Sequence, residues 1–100
     1  MISNVYCSKC HRAFAVSVFH EMGTPNDHKR ELLDPTRNSG LKRIEHGREV
    51  IGCAYTKNGC AGTSTDFEWW TTIRAQAKRQ SQDWPEQPVK DQVYKLEITG

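Results

Sequence analysis

Four cysteines, grouped as Cys7-Ser8-Lys9-Cys10 and Cys53-Ala54-Tyr55-Thr56-Lys57-Asn58-Gly59-Cys60, constrain this 100-residue chain more than any other feature. In the first pair, the two intervening residues let a tight turn aim both sulfurs at one ion, and turn amides donate to thiolates, lowering the cost of gathering negative charge. In the second pair six residues intervene, so the chain makes an excursion and must return. Lys57-Asn58-Gly59 suits that return because Asn-Gly tolerates positive φ, and Gly62 relaxes the path beyond. The expectation is a structural Zn2+ held by Cys7, Cys10, Cys53 and Cys60. Three cysteines with His11, His20 or His46 form the alternative ligand set.

Other uses of cysteine fit less well. Disulfides need an oxidising compartment, and the first ten residues lack the basic segment, apolar stretch and small-residue cleavage site of an export signal, so the expected location is cytoplasmic. Free buried thiols do not explain why every cysteine falls in a close pair. A redox role for Cys7 and Cys10 lacks the surrounding βαβ pattern.

Two knuckles, each associated with a β-hairpin and separated by about forty residues, resemble the zinc-ribbon and treble-clef class of small zinc domains. The resemblance covers residues 5–15 and 50–62. Those families usually place glycine or another small residue after the second cysteine of a knuckle, where this chain has His11. A catalytic zinc keeps a position open for water, whereas four thiolates close the shell, and no His-x-Glu motif with Pro-Cys-x-x-Cys is present; the metal is expected to be structural.

Around these anchors the sequence reads as α+β, a small antiparallel sheet packed on one main helix. Residues 13–20 alternate Phe14, Val16 and Val18 on one side of an extended chain. Thr24-Pro25 opens a short helix near 25–33. Segments 41–45 and 48–53 flank His46-Gly47 as the arms of a hairpin. Thr65 with Glu68 makes a capping box for a main helix over 66–81, with Phe67, Trp70, Ile73 and Ala77 at helical spacing and Arg74, Lys78 and Arg79 toward its C-terminus. Tyr94, Leu96 and Ile98 alternate in a closing strand over 92–98. No linker or repeat divides the chain, so residues 1–100 are read as a single domain.

Composition narrows function. No apolar run reaches the ~18 residues of a membrane span. Fourteen Lys+Arg face twelve Asp+Glu, and four thiolates around a divalent ion would remove the formal excess, which argues against strong global attraction to polyanions. His20-Glu21 and His46 with Glu45 or Glu49 lack a nucleophile or phosphate loop beside them, so no enzyme and no small-molecule substrate is expected.

What remains is a binding module. The first reading is a zinc-stabilised protein-binding regulator or inhibitor, acting on a protein or a protein–nucleic-acid complex. Trp69 or Trp84 with neighbouring arginines would be its anchors. Adjacent Trp69 and Trp70 on one helix cannot both face one apolar stripe, so Trp69 either packs at the core or its rim or is exposed as an anchor, and Trp84 either caps the helix end or contacts a partner. In size and style such a protein resembles accessory proteins of phages and other mobile elements, anti-CRISPR proteins among them. The second reading is direct DNA or RNA binding, with Lys9 and Arg12 at the first knuckle converging on Arg74, Lys78 and Arg79 of the helix.

Overall fold

The computed structural model describes residues 2–18 and 37–97. Among these residues five strands and one α-helix follow in order: β1 (Ile2–Cys7), β2 (Ala13–Ser17), β3 (Lys42–Glu45), β4 (Arg48–Ile51), β5 (Phe67–Trp69) and α1 (Trp70–Arg79). The strands form two antiparallel sheets, one of order β2-β1-β5 and the other the β3–β4 hairpin. The α+β architecture read from the sequence is the one observed. The helix expected near 25–33, together with His20, lies outside the described residues.

The central strand, β1, is the element that sequence periodicity passes over. Its last three residues, Val5, Tyr6 and Cys7, are all buried, so no polar–apolar alternation marks it. Burial on both faces is the cause. Successive strand residues point to opposite sides of a sheet. Val5 and Cys7 pack with Phe14, Val16, Val18, Phe67 and Trp69 on one face, against Cys53 and Tyr55. Tyr6 packs on the other with Ala13, Trp70, Ile73, Ala77, Trp84 and Tyr94. The register sets Val5 between Phe14 and Trp69, and Tyr6 between Ala13 and Glu68. The three-stranded sheet is therefore a middle layer, with the cysteine loops on one side and α1 on the other.

β2 and the hairpin follow the pattern of their sequence. Phe14, Val16 and Val18 are buried while Ala15 is exposed. His46 and Gly47 both take positive φ, 53° and 77°, as a two-residue turn of type I′ requires to match the twist of its arms.

The expected helix over 66–81 is shorter and begins differently. The capping box belongs to Thr63 and Asp66 around a single 3-10 turn, not to Thr65 and Glu68. Phe67–Trp69 is then extended and pairs with β1, and α1 starts at Trp70 without a side-chain cap. This change of conformation between the two tryptophans removes the conflict expected of a helical Trp-Trp pair. Trp69 faces the cysteine side and Trp70 the helix side, each 2% exposed. At its other end the helix closes with Ser81 at φ 63° and the Gln82 amide returning to the Ala77 carbonyl at 2.8 Å, a left-handed C-terminal cap.

Of the closing strand expected over 92–98, residues 92–97 join no sheet among the described residues, and Ile98 lies outside them. Residues 80–97 form an irregular strap, fastened by aromatic stacking and side chains that reach backbone. Trp84 lies parallel to Trp70, with ring centroids 5.5 Å apart, and Tyr94 meets Trp70 edge-on at 4.9 Å. Trp70 Nε1 donates to the Glu86 carbonyl and Arg74 Nε to the Trp84 carbonyl, both at 3.0 Å. Tyr94 keeps its inward position because its amide donates to the His11 carbonyl at 2.6 Å, which satisfies the backbone locally in place of a ladder.

Tyr6 joins strap, sheet and knuckle. Its hydroxyl donates to the Tyr94 carbonyl at 2.6 Å and lies 2.8 Å from His11 Nδ1. Burial, then the nearby Cys10 and Cys7, push its pKa from 10.0 up to about 12. The fold thus prefers the neutral phenol, and this preference costs stability only as pH rises through that window. Tyr6→Phe is expected to lower unfolding free energy by about 1–2 kcal/mol near neutral pH. Urea titrations of both proteins between neutral pH and the alkaline range test this, and the alkaline loss should be smaller in the variant.

Candidate metal centre

Each cysteine reaches the centre by a different local device. Cys7 ends β1, and the turn to β2 is closed by hydrogen bonds from the His11 amide to the Cys7 carbonyl at 2.8 Å and from the Cys7 amide to the Arg12 carbonyl at 2.9 Å. His11 takes φ 61°, the left-handed conformation for which knuckles favour glycine. Its ring bonds Tyr6 and its carbonyl accepts from Tyr94, and these contacts hold a non-glycine residue there. The Ser8 amide and hydroxyl both donate to the Asp66 carbonyl at 2.9 Å, tying this turn to the residues before β5.

The longer second loop folds back through a 3-10 turn at Thr56–Asn58, ending at Gly59 with φ 95°. This is the return expected of Asn-Gly. Thr56 Oγ1 donates to the Cys53 carbonyl at 2.6 Å, and the Cys53 amide donates to the Gly62 carbonyl at 3.0 Å. A bridge between Gly52 and Thr63 zips the two ends together.

These turns bring all four sulfurs within 4.8 Å of one another. Cys7 Sγ and Cys60 Sγ are 3.7 Å apart, and Cys10 Sγ and Cys53 Sγ 3.6 Å. Those separations far exceed the ~2.05 Å of a disulfide. They match the ~3.8 Å between tetrahedral sulfurs that each lie ~2.3 Å from a central ion. Among the described residues no histidine joins the quartet. His11 is turned to Tyr6, His46 sits in the exposed hairpin turn, and His20 lies outside the described residues.

The donor chemistry fits a cation. Amides of Tyr55 and Gly62 donate to Cys53 Sγ and Cys60 Sγ at 3.4 Å. Amides of Cys10 and Lys9 serve Cys7, and that of Arg12 serves Cys10. Every sulfur thus receives an amide from the residue two positions on. Hydrogen bonding from Cys53 holds the Cys7 thiol well below its usual range, while the same interaction, with burial, pushes Cys53 up. Burial chiefly raises Cys10. The protein alone therefore accommodates a first thiolate readily and resists the next, and a bound cation removes that resistance.

Two further residues shape the centre, Gly62, singled out in the sequence only as relaxing the path, and Arg43, which sequence reasoning does not single out. Gly62 does more than relax the chain: a Cβ there would lie 2.6 Å from Cys7 Sγ and 3.4 Å from Cys60 Sγ. Its position two residues after a cysteine is the available signal. Arg43 clasps the second loop, donating to Thr56 Oγ1 at 2.9 Å, the Cys60 carbonyl at 3.3 Å and the Ala61 carbonyl at 2.8 Å, with Glu45 pairing the guanidinium at 2.8 Å. Gly52 makes room, since a Cβ there would meet the guanidinium at 3.1 Å.

The expected partner-binding residues scatter. Trp69 is interior, and Trp84, 9% exposed, is stacked on Trp70. Both therefore pack in the interior, the first of the two fates open to them from the sequence. Lys9 and Arg12 line an open hollow of about 340 Å³ beside Cys10 and Cys60, with the Arg12 guanidinium 5.4 Å from the Tyr55 ring centroid. Arg74 fastens the strap, and Lys78 and Arg79 are exposed in the last turn of α1. Lys9 and Arg12 thus belong to the knuckle turn, where Arg12 Nε also donates to the Asp91 carbonyl, while Arg74, Lys78 and Arg79 belong to α1.

Compared with protein-family models, curated proteins and solved structures, the chain matches none. Among the described residues, no helix is long and apolar enough to cross a membrane.

Gly62→Ala is expected to displace Cys7 and weaken metal binding more than any exposed substitution. Arg43→Ala should reduce metal affinity about 10- to 100-fold, as loss of an outer support does elsewhere. Arg43→Lys should not restore it, because one ammonium cannot span the carbonyls that the guanidinium fork bridges. Competition with a metal-binding dye measures all three.

Proposed function

We propose that this chain is a non-enzymatic binding module whose fold is clamped by one structural zinc ion at Cys7, Cys10, Cys53 and Cys60. The observation that carries the reading is the quartet itself, four sulfurs within 4.8 Å of one another, two pairs of them at tetrahedral separation, and each supplied with a backbone amide. All-thiolate tetrahedral sites suit zinc or iron–sulfur centres. Sulfurs this close leave room for one ion and not for a cluster with its own sulfides between them.

Support for binding over catalysis comes from the donor set. Four thiolates fill a tetrahedral shell, so a bound ion would offer substrate no position, and its remaining task is mechanical. The candidate partners are a protein, a nucleic acid or a complex of both. With Trp69 and Trp84 in the interior, the regulator or inhibitor reading loses its aromatic anchors. The weight moves to the polar rim of the Cys53–Cys60 loop.

Native mass spectrometry tests the metal. The expected result is one ion per chain, about 65 Da, released as acid protonates the thiolates. Cys53→Ser and Cys7→Ser should each unfold the chain under conditions in which the parent is folded. Full metal content in both variants, or a metal-free parent that is equally stable, would overturn the reading.

A further inference from the structure

The cysteine quartet is not equally open to solvent on all sides. Cys7 and Cys53 are 0% and 2% exposed, whereas Cys10 and Cys60 are half-buried. Both half-buried cysteines line the open hollow of about 340 Å³, so a small solute in that hollow meets them first. Each close pair in the sequence thus contributes one inner and one outer cysteine.

The inner and outer sulfurs meet across the two loops. Outer Cys60 Sγ lies 3.7 Å from inner Cys7 Sγ, and outer Cys10 Sγ lies 3.6 Å from inner Cys53 Sγ. Closing either contact to the ~2.05 Å of a disulfide takes less than ~2 Å of movement. An accessible thiolate with a second cysteine poised beside it is the arrangement in which oxidation passes on to a disulfide instead of stopping at a sulfur acid. Links between Cys7 and Cys60 and between Cys10 and Cys53 join positions 53 and 43 residues apart, and so keep the first turn fastened to the second loop. Links within the pairs, Cys7 to Cys10 and Cys53 to Cys60, would close each loop on itself and leave the two unfastened.

We infer that the centre is a peroxide-sensitive clamp, which exchanges its metal for the crosswise disulfides Cys7–Cys60 and Cys10–Cys53; this is regulation of the proposed zinc site and rests on that reading. Hydrogen peroxide reaches an outer thiolate, an S–O bond forms as the O–O bond breaks, and a sulfenic acid and a hydroxide result. The inner thiolate then attacks that sulfur: the S–S bond forms, the S–O bond breaks and a second hydroxide leaves. Each disulfide gives two electrons to one peroxide. With all four thiolates consumed, no charged donor remains to hold a cation, and it dissociates. The chain stays fastened, because covalent ties now span the contacts that the ion bridged.

The test treats the full zinc-loaded chain with hydrogen peroxide and follows released zinc with a chromogenic dye, free thiols by titration, and disulfides by non-reducing peptide mapping. About one zinc should appear for every two peroxides consumed, together with Cys7–Cys60 and Cys10–Cys53 links. Dimedone added during the reaction should label Cys10 or Cys60. The oxidised, metal-free chain should keep the tryptophan fluorescence of the folded protein, whereas the reduced chain stripped by a chelator loses it; dithiothreitol with zinc should restore the starting state. Links within the pairs, first labelling at Cys7 or Cys53, sulfinic acids without disulfides, or an oxidised chain as unfolded as the reduced metal-free one would each overturn the clamp. Zinc retained through a peroxide exposure that fully oxidises free cysteine in a parallel sample overturns it while leaving the zinc-clamped module standing; a chain that takes up no metal overturns both.

Discussion

Placing four sulfur atoms within 4.8 Å of one another sets the terms for everything around them. Four thiolates at that distance would repel, and on the proposed zinc reading backbone amides and a central cation offset the repulsion. The surrounding structure can be read as the means of meeting that demand. The turn after β1 supplies amides to Cys7 and Cys10, the 3-10 excursion brings Cys60 back, Arg43 grips the loop carbonyls, and Gly62 withdraws its side chain so that Cys7 fits. Zinc binding to small cysteine sites is worth about 10–16 kcal/mol in isolated peptides, comparable to the entire net stability of an ordinary domain, about 5–15 kcal/mol. On the proposed zinc reading, a modest apolar interior of this size is sufficient because the clamp contributes as much as the core.

That interior is divided rather than single. A sheet with a buried residue on each face at Val5 and Tyr6 separates one cluster around the cysteines from another around Trp70, Trp84 and Tyr94. Trp69 and Trp70 illustrate how adjacent residues serve both. The backbone passes from strand to helix between them, so their side chains leave in opposite directions and each cluster gains one large aromatic ring. Tyr6 then connects the halves through polar contacts, reaching His11 on the knuckle and the Tyr94 carbonyl on the strap.

The cysteine spacing, the hairpin turn and the alternation of β2 were legible in the sequence because each depends on local rules: ligand reach, positive φ at His46-Gly47, and a strand with one exposed edge. β1 was not legible, since a strand buried on both sides has no alternation to detect and Ser3 and Asn4 dilute its apolar character. The start of the helix was misplaced because Phe67, Trp70 and Ile73 satisfy a helical period, whereas pairing with β1 decides their conformation from outside the segment. Residues 92–97 show the reverse case. Their alternation is real in burial, with Tyr94 inside and Val93 and Lys95 exposed, yet no neighbouring strand offers a ladder. At the centre, the ligands were visible, but the grip of Arg43 and the closeness of Gly62 to Cys7 were not, because both act through positions that only the folded chain brings near.

β1 occupies the middle of its sheet, and its second neighbour, β5, lies about sixty residues further along. Synthesis from the N-terminus therefore delivers a half-built sheet, with one edge of β1 open until Phe67–Trp69 has left the ribosome. Closure of a loop that long is slow compared with hairpin formation. Completion of the sheet consequently waits for β5, and the exposed edge in the interval is where a nascent chain would be most open to chaperones or to mispairing.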